Sequence, residues 1–363
     1  MTPEERGSLV RRLGREVGFD LVGLAEARPL DPEPFRRFLA EGLHADMDWL
    51  DDERRTDPAL ALPGARTVAA FALSYFDPTP RTSGVSRYAR GMDYHAVLRR
   101  KLRKLRKALG REDPGLRTYG SVDWGPVAEK AWAERAGLGW IGKNGCLVTR
   151  THGSWVLLGA LILDRPCAPY DRPHADFCGS CTRCLRACPT GAFPRPRVVD
   201  ARRCLSYQTI EQRAELPDPI KAGAGGWIFG CDDCQTCCPW NERFSTPATE
   251  PRLLPREHAL WDVSLDRLIR MDYAEWEERA RGTSVARAKH YGLVRNALVA
   301  AGHASPGPAG PDLLAACRAR LADPHPSVRD AAAWAVRRLG GDPAFPGDPL
   351  PPCGEGLTRD EDE

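Results

Sequence analysis

Four cysteines spaced Cys178-x2-Cys181-x2-Cys184-x3-Cys188, with Pro189 directly after them, constrain this chain more than any other feature. Three closely spaced thiolates wrap one face of an iron–sulfur cube, and the fourth points to a second cube. The proline ends the wrapping turn and offers no donor. A zinc site needs only four ligands and rarely uses this spacing. Nine of the 13 cysteines fall between Cys178 and Cys238, and in a chain of intracellular character they point to cluster ligation rather than disulfides. The second half of the stretch is less regular. Cys231-x2-Cys234-x2-Cys237-Cys238-Pro239 offers one ligand too many, and Cys204 offers another. Spacing alone favours Cys188, Cys231, Cys234 and Cys237 for the second cube, with Cys238 returning to the first. Replacing Cys237 by Cys204 is equally economical. Cys146, Cys167, Cys317 and Cys353 have no partner at ligand spacing and read as ordinary thiols.

Around that stretch the pattern changes twice. Up to about residue 165, strand-like runs (Phe19 to Leu24, Thr67 to Tyr75, Ser154 to Leu163) alternate with helical ones. Leu9, Leu13 and Val17 mark a first amphipathic helix; others are expected near Pro34–Leu39, His95–Leu109 and Pro126–Ala136. This predicts an α+β domain with mixed α/β character over 1–165. From 166 to 250 periodicity fails and cysteine, glycine and proline dominate, as in a compact insert held by its cofactors. Residues 251–342 read as helical. Leu313, Leu314, Cys317 and Leu321 mark one helix, and Ser327 is expected to cap the next, with Asp330 completing a variant capping box. Paired short helices of this kind are HEAT-like. Residues 343–363 read as a loose tail.

No apolar run approaches the ~18 residues of a membrane span, and the first residues lack a secretory pattern, so a cytoplasmic protein without a membrane partner is expected. Formal net charge is only +3, yet Arg81 to Arg117 holds twelve Lys/Arg against Asp93, Glu112 and Asp113. Ser284 to Arg338 holds eight against Asp312, Asp323 and Asp330. Two basic zones suit a polyanion such as RNA; solvated helix faces are the plainer explanation of either zone alone. Leu98, Leu102, Leu105 and Leu109 form a helical stripe, which puts the basic residues from Arg99 to Lys107 on the exposed side.

Two cubes pass single electrons to something else, so a terminal redox centre is needed. The glycine fingerprint of flavin and NAD sites is absent. Asp93-Tyr94-His95 begins like a cobalamin-ligand motif but has Leu98 where glycine belongs, so His95 reads as a structural or hydrogen-bonding residue.

Several phrases together resemble the epoxyqueuosine reductase family. They are Met47-Asp48-Trp49, Ser86-Arg87-Tyr88, Asp93-Tyr94-His95, Val122-Asp123 and Ala136-Gly137-Leu138-Gly139-Trp140-Ile141-Gly142-Lys143-Asn144. After the cysteine run come Asp200 to Tyr207, Gly230 to Gln235, Pro239-Trp240-Asn241, Gly282-Thr283 and Arg295-Asn296. The likeness spans roughly residues 5 to 340.

The resemblance implies a cobalamin-binding domain, a ferredoxin-like domain with two [4Fe–4S] clusters and a C-terminal HEAT-like part. It implies Cys178, Cys181, Cys184 and Cys238 on one cube, and Cys188, Cys204, Cys231 and Cys234 on the other, with Cys237 a spectator. It implies reduction of the epoxide of epoxyqueuosine in tRNA to queuosine, with cobalamin bound without a histidine ligand and Asp123 as proton donor. To be protonated near neutral pH, such an acid needs its pKa raised by burial. Arg87, Tyr88, Gly142, Lys143, Asn144, Ser154, Ser206, Tyr207 and Gln208, with Asp123, are the expected cofactor contacts; Gly153 is a weaker one. Expected partners are the tRNA anticodon stem-loop and an external low-potential electron donor, with a monomeric enzyme. Arg287, Lys289 and Arg295 join the basic helix as expected phosphate contacts. Ala45-Asp46, Trp124 and Cys237 depart from the family pattern. The rival readings are a reductive dehalogenase-like corrinoid enzyme and a two-cluster electron carrier.

Overall fold

The computed structural model describes residues 1–79, 84–123, 125–257, 259–304, 310–344, 350–351 and 353–354. Trp124 and much of the expected tail lie outside them.

Strand β2 (Thr67–Ser74) is buried along its whole length because both its faces are covered. Its residues divide by parity, as a strand's period of two requires. Ala69, Phe71 and Leu73 join the core under helices α1 (Pro3–Glu16) and α4 (Tyr94–Glu112). Val68, Ala70 and Ala72 join a second core with Trp132 and Ala133 of α5 (Glu129–Arg135). The short helices α2 (Glu33–Ala40) and α3 (Pro58–Ala61) precede β2 in the chain. The sheet is antiparallel throughout, in the order β1 (Leu21–Glu26), β2, β6 (Val156–Leu163), β3 (Thr118–Ser121). A small hairpin of β4 (Trp140–Ile141) and β5 (Leu147–Val148) stands apart. The sequence gives no strand signal for β3, whose Thr-Tyr-Gly-Ser lacks apolar alternation; pairing to β6 makes it a strand. It ends two residues before Asp123.

Helix α4 starts where the Asp93 carboxylate accepts the His95 amide and buries Val97, Leu98, Leu102, Leu105 and Leu109. Lys101 corrects the expected all-exposed basic face. It is buried, with Nζ bonded to the Val17 and Gly18 carbonyls and 2.9 Å from Glu250 Oε2. Arg100, Arg103, Lys104 and Lys107 remain exposed.

Between 166 and 250 the elements are short: α6 (Arg183–Ala187), α7 (Leu205–Ile210), α8 (Asp218–Gly223), α9 (Asp233–Thr236) and α10 (Pro239–Phe244). This stretch is not self-contained. Leu205, Leu216, Ile220, Trp227 and Phe229 pack into the C-terminal helical core. That core is built by α11 (Leu265–Arg270), α12 (Tyr273–Ala280), α13 (Lys289–Ala301), α14 (Gly310–Ala319) and α15 (Pro326–Arg338). Helix α13 is buried on every side from His290 to Ala301. Ser327 does not cap α15: the N-cap is His325 and Pro326 leads the helix, leaving the Ser327 hydroxyl bonded to His325 Nδ1. Nor does the described part of the tail hang loose. Arg320 donates to the Pro351 carbonyl, and the Gly354 amide donates to His290 Nδ1. Among the described residues, no helix is long and apolar enough to cross a membrane.

Candidate functional site

The thiols are all free and fall into two neighbourhoods. Burial pushes Cys238 up, reinforced by Cys178 and Cys181. Burial, Cys237, Cys238 and Cys178 push Cys184 up to about 11. In the other neighbourhood burial and Cys188 raise Cys204, burial with Cys204 among its neighbours raises Cys231, and burial with Cys146, Cys231, Cys204 and, from the first neighbourhood, Cys184 raises Cys234, so the two adjoin. Buried thiols that oppose one another's ionisation become thiolates only around a cation. That is the donor chemistry an iron–sulfur cube requires. Among the described residues no group of three or more His, Cys, Asp or Glu is arranged to hold a single metal ion. The Trp140 indole N–H lies 3.4 Å from Cys178 Sγ, and the Ala192 amide 3.3 Å from Cys188 Sγ. Cys237 stands beside the first neighbourhood. Cys146, without a partner at ligand spacing, is half-buried, and desolvation with Cys204 and Cys238 opposes its ionisation.

Asp123 lies between β3 and α5 with left-handed backbone, φ 56°, a conformation that costs a non-glycine residue and collects at functional sites. Tyr94 Oη donates to its Oδ2 at 2.5 Å, and His95 Nε2 lies 3.0 Å from the same oxygen. Oδ1 makes no hydrogen bond among the described residues. The other His95 nitrogen, Nδ1, is 2.7 Å from Asp93 Oδ1, so neither ring nitrogen is available to a cobalt ion. Desolvation pushes Asp123 up, but the bonds from His95 and Tyr94 and the charges of His95 and Lys130 outweigh it and hold the carboxyl below its usual range. Desolvation pulls His95 down, yet Asp123 and Asp93 raise it to about 9. The expectation that burial raises Asp123 is therefore corrected: at neutral pH the proton of this pair sits on His95. A second carboxyl does behave as expected of a buried acid. Desolvation lifts Glu129 to about 8, and Ser121 Oγ donates to it at 2.8 Å.

The other expected contacts are brought near this pair in part. The charges of Asp123 and Asp232 both act on Tyr88, and those of Asp123 and Asp46 both act on Arg287. Tyr207 Oη donates to Asp46 at 2.5 Å; the preceding Ala45 is left-handed at φ 58°. Among the described residues, Gln208 Oε1 and Arg87 Nε are buried without partners, as is His44 Nδ1. These orphaned donors and acceptors fit a ligand with a polar periphery, such as the amide-fringed corrin ring.

Three expected contacts are spent elsewhere. Lys143 Nζ donates to the Gly179 and Cys181 carbonyls, and Asn144 Nδ2 to the Cys234 carbonyl. The Gly142-Lys143-Asn144 turn thus staples both cysteine loops rather than offering a free charge. Ser154 is tied to Asn241 and Gln235. Gly153, at φ 57°, permits that approach, since a Cβ there would sit 2.0 Å from Asn241 Oδ1. The position of Ser206 is at the start of α7.

One expected phosphate contact is corrected. Arg295 is 1% exposed and donates to the carbonyls of Gln208, Gln212 and Ala214. Arg287 is paired with Glu211 at 2.7 Å. Sequence reading missed Glu129 and Arg55, for charged residues in a polar stretch carry no sign that folding will bury them. Two surface cavities, of about 420 and 230 Å³, are lined by neither Asp123 nor any cysteine.

Two family models match the chain: "4Fe-4S double cluster binding domain" over residues 177–241 and "Epoxyqueuosine reductase QueG, DUF1730" over residues 55–123. An epoxyqueuosine reductase of Gloeobacter violaceus is 47% identical over 305 residues, covering 81% of this chain and 95% of that protein. One from Xanthomonas campestris pv. campestris is 38% identical over 353 residues, covering 93% and 97%. The crystal structure of an epoxyqueuosine reductase with an epoxyqueuosine-modified tRNA-Tyr stem loop superposes with a TM-score of 0.82 at 34% identity, over 93% of this chain and 91% of that one.

Proposed function

The chain belongs to the epoxyqueuosine reductase family, and on that premise we propose that it reduces the epoxide of epoxyqueuosine in tRNA to queuosine, using cobalamin and two [4Fe–4S] clusters. The observation that carries this reading is the Asp123–His95–Tyr94 constellation, fixed on strained backbone in a chain whose cysteines gather in two neighbourhoods. Cys178, Cys181, Cys184 and Cys238 would hold one cube, and Cys188, Cys204, Cys231 and Cys234 the other. Arg87, Tyr88, Ser206, Tyr207 and Gln208 would line the cobalamin site, with Gly142, Lys143, Asn144 and Ser154 behind them. Residues 1–165 form the cobalamin-binding domain, 166–250 the cluster domain and 251–342 the HEAT-like domain. The enzyme would work in the cytoplasm as a monomer, fed by an external low-potential donor.

Removing the oxygen takes two electrons and two protons: both C–O bonds break, a C=C bond forms and water leaves. When bound, cobalamin supplies a strongly reducing centre next to the substrate, recharged one electron at a time. The protein's own residues manage the protons. His95 keeps one at neutral pH and passes it by way of Asp123 Oδ2 to the departing oxygen, and solvent supplies the second. Tyr94, pushed well above its ordinary pKa by desolvation and Asp123, stays neutral and holds Oδ2, the atom that takes the His95 proton and hands it on. Positioned acids of this kind are worth ~10²–10⁴-fold. Family membership sets aside both rival readings, the dehalogenase-like enzyme and the simple electron carrier. The test is anaerobic incubation of the iron-loaded, cobalamin-supplemented protein with epoxyqueuosine-bearing tRNA and a chemical reductant, followed by nucleoside mass analysis. Queuosine is the expected product; intact epoxide after full loading would refute the reading.

A further inference from the structure

Close to the Asp123 site lies a cation whose hydrogen bonds are not satisfied. Arg55 is only 5% exposed, yet its buried Nε has no hydrogen-bond partner among the described residues. The carboxylate beside it in sequence, Asp52, is occupied by Arg54. Arg55 is held in place by its surroundings instead: its carbonyl accepts the Ala128 amide at the entry to α5, and its guanidinium lies 5.3 Å from the centre of the Trp49 ring. Glu129 and Asp123 both act on its charge, which places it at the edge of the reacting site. Trp49 is itself 44% exposed, one of few large apolar side chains that are.

An indole with a guanidinium against it and open surface beside it is a stacking platform. Unpaired bases stack on aromatic rings and on arginine planes, and the guanidinium fork matches a phosphate. A buried arginine with an unpaired Nε is costly in a free protein, and an anion at its guanidinium offsets that cost. We propose that Trp49 and Arg55 form a nucleotide subsite beside Asp123. An unpaired base of the RNA substrate stacks on Trp49, and a phosphate flanking that base takes the Arg55 donors. This deepens the reading that the substrate is tRNA and rests on it.

The test is anaerobic titration of the cluster-loaded protein with a labelled anticodon stem-loop at several salt concentrations, with a fully paired RNA duplex as control. Trp49→Ala should weaken stem-loop binding roughly ten-fold at every salt concentration, leave the duplex unaffected, and be largely rescued by Trp49→Phe. Arg55→Met should weaken binding and flatten the dependence of log Kd on log salt by about 0.7, the share of one single-strand phosphate. Trp49 lies at the surface, so its variants remain informative should Arg55→Met fold poorly. Tight wild-type binding to the stem-loop with both variants indistinguishable from it overturns the subsite and leaves the RNA reading standing. A wild-type protein that does not bind the stem-loop overturns the RNA reading, and the subsite with it.

Discussion

The cysteine region and the Asp123 site hold their working atoms by different means. In the first, helices of four to six residues and intervening loops carry thiols that repel one another's charge. The segments 178–204 and 231–241 add little to any apolar core: only Ala192 and Ala201 among their apolar residues are fully buried. In the second, a half-exposed carboxylate is fixed by the start of α4, which packs on the sheet, and the end of β3, the sheet's half-buried edge strand. One region has little apolar core of its own to hold its loops; the other is held by one. The segment from Leu205 to Phe229, lying between the cysteine loops, sides with the hydrophobic regions by packing into the helical core.

Iron removal draws this contrast most sharply. Stripping the clusters should raise amide exchange by orders of magnitude over 178–204 and 231–241, while β2 and β6 stay protected. Protection that survives iron loss in the cysteine loops would erase the contrast. Next in size, Asp123→Asn should lower turnover ~10²–10⁴-fold with iron content unchanged; unchanged turnover would remove Asp123 from the mechanism. Leu98→Ala, at a fully buried position of α4, should cost ~2–5 kcal/mol of stability measured by denaturant unfolding, again with iron retained. The smallest effect is expected of Glu129→Gln. Because Glu129 keeps its proton up to about 8, a neutral isostere should change turnover at pH 7 by less than about three-fold, and a larger loss would give Glu129 a direct part in proton transfer.

What the sequence shows and what it hides follow the same division. The Cys178–Cys188 run is legible because a cluster is gripped by neighbours in the chain, so ligand spacing is local information. The α4 stripe of Leu98, Leu102, Leu105 and Leu109 is legible for the same reason. Asp123 carries no local signal and stood out only through the family likeness. Its charge state is less accessible still, since it is set by His95 and Tyr94, 28 and 29 residues away. Strand β3, the burial of Lys101 and Arg295, and the unpaired Nε of Arg55 are all products of tertiary contact. Ser327 shows the converse: a good capping sequence is overridden when Pro326 takes the first helical position.

The central claim is that one proton, carried by His95 and relayed through ionised Asp123, serves the departing oxygen. Its most direct test is the pH dependence of single-turnover epoxide reduction by the fully loaded enzyme, compared with His95→Gln. A histidine raised to about 9 keeps its proton, and the ion pair with Asp123, through neutral pH and loses both as pH rises past that value. The rate should therefore hold level through neutrality and fall near pH 9, and His95→Gln should abolish that fall. A rate that instead drops away above the ordinary carboxyl range near pH 4, with nothing further near 9 and no change in the variant, would show that protonated Asp123 acts alone and contradict the account.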